Sequence, residues 1–162
     1  MDNQLTILSD VSQNRSLRDA LQTTEEYLRE TRGILDSYQT KMKTILELSK
    51  RGIWDWNILN DEVFYDPLWA EIMGYCPSEI KNGLNTWSKT VHPDDLPMAA
   101  RKMKDHLEGA LPLYEMEYRA FKKNGEMIWV LMKGKLCLRG DNGEPLRMIG
   151  TIQDITDRKS VV

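Results

Sequence analysis

From Leu17 onward, apolar and small side chains recur at alternating steps of four and three residues: Leu17, Leu21, Thr24, Leu28, Thr31, Leu35, Tyr38, Met42 and Ile45. That heptad spacing predicts a helical seam over about four repeats. Leu21, Leu28, Leu35 and Met42 fall on one core position, and the remaining five on the other. Glu25 and Arg29 add an i,i+4 pair on the flank. Two readings fit the pattern. The seam can join two copies of the chain, or a single amphipathic helix can pack on its own domain. Thr24 and Thr31 lie in the seam, and Gly33 interrupts the helix at a cost of about 1 kcal/mol against Ala, so a coil built this way is weak in isolation.

Around Lys50-Arg51-Gly52 the period changes. The run GIWDWNI alternates apolar and polar positions as a strand does, LND is a turn, and EVFYD reads as a second short strand. Short helical pieces follow. PLWAEIMGY begins with Pro67 in a first-turn position, PSEI repeats that arrangement, and LNTWSKTV fits no single element. HPDDLPMAARKMKDHLEG predicts a longer helix, with Pro93 in its first turn, Asp94 and Asp95 at the positive end of the dipole and Gly109 closing it. Leu96, Ala99, Ala100, Met103 and Leu107 form its expected buried stripe. Three strands complete the chain, LYEMEYRAFK, EMIWVLMKGKLCLR and EPLRMIGTIQDI. They are separated by Lys123-Asn124-Gly125 and Gly140-Asp141-Asn142-Gly143, and Asn-Gly between β-rich runs is a strong hairpin signal. Trp129 is expected to give the central strand its largest core side chain.

The predicted fold is α+β: a five-stranded antiparallel sheet with helices on one face, preceded by a long N-terminal helix. The divisions are 1–49 for the amphipathic helix, 50–157 for the domain, and 158–162 for the start of a departing helix. At Asp154-Ile155-Thr156-Asp157 a strand ends and a helix begins, with Asp154 or Thr156 as N-cap.

These elements, in this order, resemble the PAS fold with its PAC segment. The resemblance rests on WDW (Trp54 to Trp56), MGY (Met73 to Tyr75), PSEI, WSKTVHPDD, the YEMEYR strand, KNGEMIWV and PLRMIGTIQDITDRK, and runs from residue 48 to about 159. It implies a bacterial sensor module that relays a ligand or partner signal through flanking helices to an output domain, such as a histidine kinase or diguanylate cyclase, that is absent from this chain. A ligand-free dimerisation or docking module is the alternative. The relay would involve Asp154 and Thr156 on one side and Lys50 and Arg51 on the other, with Asp154 either capping its own helix or pairing with a cation at the opposite junction. The pocket would be lined by Trp87, Val91, Met103, Met116 and Trp129, which could equally just fill a core. The position of the haem-sensor histidine is occupied by Met98; His106, at the border of the buried stripe, is the one substitute, but it is expected to be a surface or half-buried histidine and haem is not expected. The segment that carries the photoactive cysteine in flavin domains, Leu84 to Val91, has none. The expected occupant is a small apolar ligand or nothing.

Composition narrows the function further. With a net charge of -3, the chain has no broad basic footprint for nucleic acid. No apolar stretch is long enough to span a bilayer, and the start MDNQLTILSDVSQNR lacks a basic segment followed by an apolar one, so the expectation is a cytoplasmic chain, homodimeric through its first helix. Cys76 and Cys137 belong to no metal-binding spacing and are expected to be buried, inert thiols. His92 with Asp94 and Asp95 reads as a helix start rather than a metal site. No paired carboxylates or phosphate-cradling loop are found, and the chain is expected to have no catalytic activity of its own.

Overall fold

A computed structural model describes residues 2–81 and 83–160. The first helix, α1 (Asp2–Ser49), is followed by β1 (Arg51–Asn57), β2 (Glu62–Tyr65), α2 (Pro67–Met73), a single 3-10 turn at Pro77–Glu79, α3 (Leu84–Thr90) and α4 (Leu96–Leu107). The chain then runs through β3 (Tyr114–Phe121), β4 (Met127–Arg139) and β5 (Pro145–Asp154) and ends in the short α5 (Thr156–Lys159). Contacts divide the chain after Ile45 into two compact units. In the first, every side chain from Val11 to Ile45 is exposed.

The second unit is built on one antiparallel sheet in the order β2-β1-β5-β4-β3. Its inner face carries the alternating buried residues Trp54 and Trp56 of β1, Val63 and Tyr65 of β2, Tyr114 and Tyr118 of β3, Ile128, Val130 and Met132 of β4, and Met148 and Ile152 of β5. The helices cover that face, with Trp69 and Met73 of α2, Trp87 of α3, and Ala99 and Met103 of α4 completing the core. The entry to α2 is fixed by Asp66, whose Oδ1 accepts the Trp69 N–H at 2.8 Å and the Ile53 N–H at 2.9 Å. One carboxylate thus caps the helix and ties it to β1. The ambiguous LNTWSKTV run is helical because Trp87 and Thr90, three residues apart, both face the core.

One cross-strand row organises the inner face. Trp54 of β1 stands opposite Gly150 of β5, Gly150 opposite Gly134 of β4, and Gly134 opposite Tyr114 of β3. The indole of Trp54 lies over the two glycines. A Cβ at Gly134 would sit 2.5 Å from the far edge of that ring, and one at Gly150 would collide with both the ring and the Lys133 carbonyl. Glycine in a central strand is normally a weakness; here it creates a notch that seats the largest side chain of the facing strand. The indole Nε1–H of Trp54 and the hydroxyl of Tyr114, at the two ends of this row, are buried without a hydrogen-bond partner.

Filling the notch should therefore be costly. Gly134→Ala is expected to destabilise the domain by about 2 to 4 kcal/mol through overpacking against Trp54. Urea unfolding should show a lower midpoint with an unchanged slope, and a loss below about 0.5 kcal/mol would mean the ring can move aside.

Candidate functional site

Between α3, α4 and the tip of the β4–β5 hairpin lies a pocket of about 620 Å³. Leu84 and Trp87 form one wall, Ala100, Met103 and Leu107 another, and Pro145 with Gly143 closes the hairpin side. Lys104, Glu108 and Arg139 stand among these apolar walls as the charged groups. The pocket floor is tied to the sheet. Trp87 Nε1–H donates to the Tyr118 hydroxyl at 3.0 Å, and that hydroxyl donates to the sulfur of Met132 at 3.2 Å. Burial pushes the Tyr118 phenol far above its ordinary value, so this link is a neutral hydrogen-bond chain at any physiological pH.

The five residues singled out for the pocket are dispersed. Trp87 and Met103 line it. Val91 is buried beside β3, bridging Ala120, and Met116 is a partly buried member of the inner face. Trp129 is a correction. It alternates with Ile128 and Val130, which take the core, so its own indole lies on the outer face, half-buried beneath the Lys159 ammonium at 4.8 Å from the ring centre.

Other expectations also change. His106 is buried, because both ring nitrogens serve the main chain. Nε2 accepts the Leu136 N–H at 2.9 Å, which leaves the ring proton on Nδ1 to be donated to the Leu111 carbonyl at 2.8 Å. The β4–β5 register shifts between Leu136 and Leu138, and the histidine takes up an amide at that irregularity. Met98 points outward and is exposed. Ala100 is exposed as well, on the side of α4 that faces the pocket. Cys76 and Cys137 are both exposed, not buried. Cys76 falls in the loop just before the 3-10 turn, and Cys137 sits at the irregular end of β4, where it donates to the Arg147 carbonyl at 3.3 Å. Among the described residues, no group of three or more His, Cys, Asp or Glu could hold a metal ion, and no helix is long and apolar enough to cross a membrane.

The start of α4 differs from its expected form. Pro93, Asp94 and Asp95 form a turn ahead of a helix that begins at Leu96, and neither aspartate side chain caps it. Asp95 instead grips Arg119 of β3 through both carboxylate oxygens, at 2.9 Å to Nε and 2.7 Å to Nη2, and also accepts the Arg119 N–H at 2.9 Å. Three donors on one half-buried carboxylate outweigh a dipole interaction. These hydrogen bonds from Arg119 hold the Asp95 carboxyl down at about 2.

At the other end of the sheet, the chain leaves through a knot of hydrogen bonds. Asp154 Oδ1 accepts both the N–H of Thr156 at 2.9 Å and its hydroxyl at 2.6 Å. Thr156 Oγ1 accepts the Trp129 N–H at 3.1 Å, and the Ile155 N–H donates to the Trp129 carbonyl at 2.8 Å. The exit is thereby stitched to both main-chain groups of one β4 residue. The α5 turn then places Arg158 and Lys159 on Glu117 of β3. Lys159 foremost, by hydrogen bonding, holds the Glu117 carboxyl below its ordinary value. Lys50 lines a second pocket, of about 570 Å³, together with Asp154 and Thr156, while Arg51 is the first residue of β1. Asp154 binds its own Thr156 in this arrangement, but the N-cap position of α5 is taken by Ile155, neither Asp154 nor Thr156.

Residues 62–152 match a family model described as the PAS fold. The chain belongs to the PAS fold family. A sensory box histidine kinase/response regulator of Burkholderia thailandensis is 32% identical, with a TM-score of 0.65, covering 74% of this chain and 88% of that structure. The probable diguanylate cyclase DgcE of Escherichia coli is 32% identical over 90 residues, which is 56% of this chain and 8% of the relative. An uncharacterised protein of Sinorhizobium fredii is 28% identical over 157 residues, 97% of this chain and 17% of its own length. The chain thus spans less than a fifth of these two relatives, and this PAS module is homologous to modules within kinases and cyclases.

The clamp at Asp95 has a defined pH dependence. Because its carboxyl titrates lower in the folded state than in the unfolded chain, its contribution is present above about pH 4 and is lost as pH falls toward 2. Asp95→Asn should therefore cost about 1 to 2 kcal/mol at pH 7, with the two unfolding curves converging as pH drops to 2. A gap that persists at pH 2 would show that the loss is not electrostatic.

Proposed function

We propose that this chain is the cytoplasmic input module of a signalling protein, without catalytic activity of its own, which passes a ligand-dependent change through its exit helix to a kinase or cyclase output domain. The observation that carries the reading is the sequence of tasks along three consecutive residues of β3. Tyr118 points inward and holds Trp87 of the pocket; Arg119 points outward and holds Asp95, just ahead of α4; Glu117 points outward and holds Arg158 and Lys159 of the exit. A shift of α3 or α4 acts directly on the strand that anchors α5. The exit anchor is suited to switching, since ion pairs this exposed are weak and within reach of a modest ligand. Asp154 and Thr156 are the hinge in this reading.

The proposal includes a homodimer through α1. Leu17, Leu21, Leu28, Leu35, Tyr38, Met42 and Ile45 are each more than half exposed, and Tyr27 and Ile34 widen the same stripe. Helices bearing such a face bury it against a partner, and heptad spacing favours a second copy. The ligand-free docking module remains a second reading, favoured by the Trp54 notch, which fills the space between the sheet and the helices.

Two measurements test these points. Glu117→Gln should speed amide hydrogen exchange at Lys159 and Ser160 about two- to tenfold while the β-sheet amides stay protected; unchanged rates would remove Glu117 from the relay. In sedimentation equilibrium the intact chain should be a dimer, and Leu28→Lys combined with Leu35→Lys should give a folded monomer. A wild-type monomer at tens of micromolar would end the dimer proposal and leave the relay to the exchange experiment.

A further inference from the structure

We infer that the pocket between α3, α4 and the β4–β5 hairpin takes a small amphipathic carboxylate, its apolar body on Trp87 and Met103 and its carboxylate at Arg139 and Lys104. This rests on the sensor reading and specifies its ligand. The location follows from packing. Trp54 occupies the notch over Gly134 and Gly150, and Trp87, Tyr118 and Met132 are joined behind the pocket floor, so a ligand lodges in front of Trp87 and not between the sheet and the helices. A volume of about 620 Å³ falls within the ordinary range for small-molecule sites.

The sign of the ligand follows from charge at the pocket. Arg139 donates Nη1–H to the Gly143 carbonyl at 2.8 Å and Nη2–H to the Leu107 carbonyl at 3.0 Å. These two bonds fix the guanidinium plane, and among the described residues no carboxylate forms an ion pair with it. Three of its five N–H donors are left for a ligand. Lys104 pairs with Glu108 at 3.7 Å, with both side chains mostly exposed, a contact that yields readily to a better one. Two cations therefore face one carboxylate. A bound cation would meet Arg139 unshielded, and a neutral molecule would leave its remaining donors to water. A doubly charged phosphate is disfavoured as well, because the C-terminal end of α4, with its negative dipole, borders the pocket at Leu107 and Glu108. A single carboxylate on an apolar body balances the pocket.

Decanoate and decanol, each below its aggregation limit, distinguish charge from apolar fit in isothermal titration calorimetry on the full chain. Decanoate should bind at least tenfold more tightly than decanol. That gap should close in Lys104→Gln and in 0.5 M NaCl, while Ala100→Trp, which fills the pocket from its exposed wall, should abolish binding of both. Equal affinities for the two probes would overturn the carboxylate assignment and leave a ligand pocket in place. Binding that survives Ala100→Trp would overturn the location. Binding of neither probe to the wild type would overturn the inference, and native mass spectrometry of the purified chain would then judge the sensor reading separately by the presence of a retained molecule.

Discussion

The indole of Trp54 lying across Gly150 and Gly134 is the contact on which the rest of this PAS domain depends. It spans three strands, and its seat exists only because two central positions lack a Cβ. Three consequences follow from that single packing choice. The register of β1 against β5 is fixed, because a one-residue slip would turn the ring out of the core face and a two-residue slip would set it against Met148 or Ile152. The inner face becomes a filled core. Space for a ligand is displaced outward, to the junction of α3, α4 and the β4–β5 hairpin.

With the sheet made stiff in this way, β3 becomes the crossing point of the molecule. Tyr118 faces the helices, while its neighbours Glu117 and Arg119 face the other side, and each is bonded to a different element. The two outward links differ in strength. Arg119 is bound by both carboxylate oxygens of Asp95, whose side chain is only 18% exposed, whereas Glu117 shares two flexible cations at the surface. In the proposed relay, this inequality would keep the input side attached while the output side lets go.

Much of the fold was legible because it is written in local periods. Alternation in GIWDWNI, Pro67 at a first turn and Asn124-Gly125 at a hairpin each act within a few residues, and each element appeared where its signal lay. The notch had a readable sign too, since Gly134 and Gly150 stand inside apolar runs where glycine marks a close approach. What escaped the sequence was choice of partner. Asp94 and Asp95 looked like dipole ligands until β3 brought Arg119 alongside, 24 residues away in the chain. Trp129 looked like core because it is large, but alternation along β4 gave that face to Ile128 and Val130. His106 looked marginal on a helical wheel, which cannot show that an irregular strand end would present it with an amide to accept. The thiols looked buried by residue type alone, although both occur at loop or strand-end positions.

Coupling between the pocket and the exit, on opposite faces of one sheet, is the central claim. Hydrogen exchange at Ile155, Lys159 and Ser160, compared between the wild type and Ala100→Trp, tests it most directly, because the substitution acts only on the pocket side. Exchange at the exit should change severalfold while Trp54 and its neighbours in β1, β4 and β5 keep their protection. Identical exit rates in the two proteins, with the pocket demonstrably filled, would contradict the account.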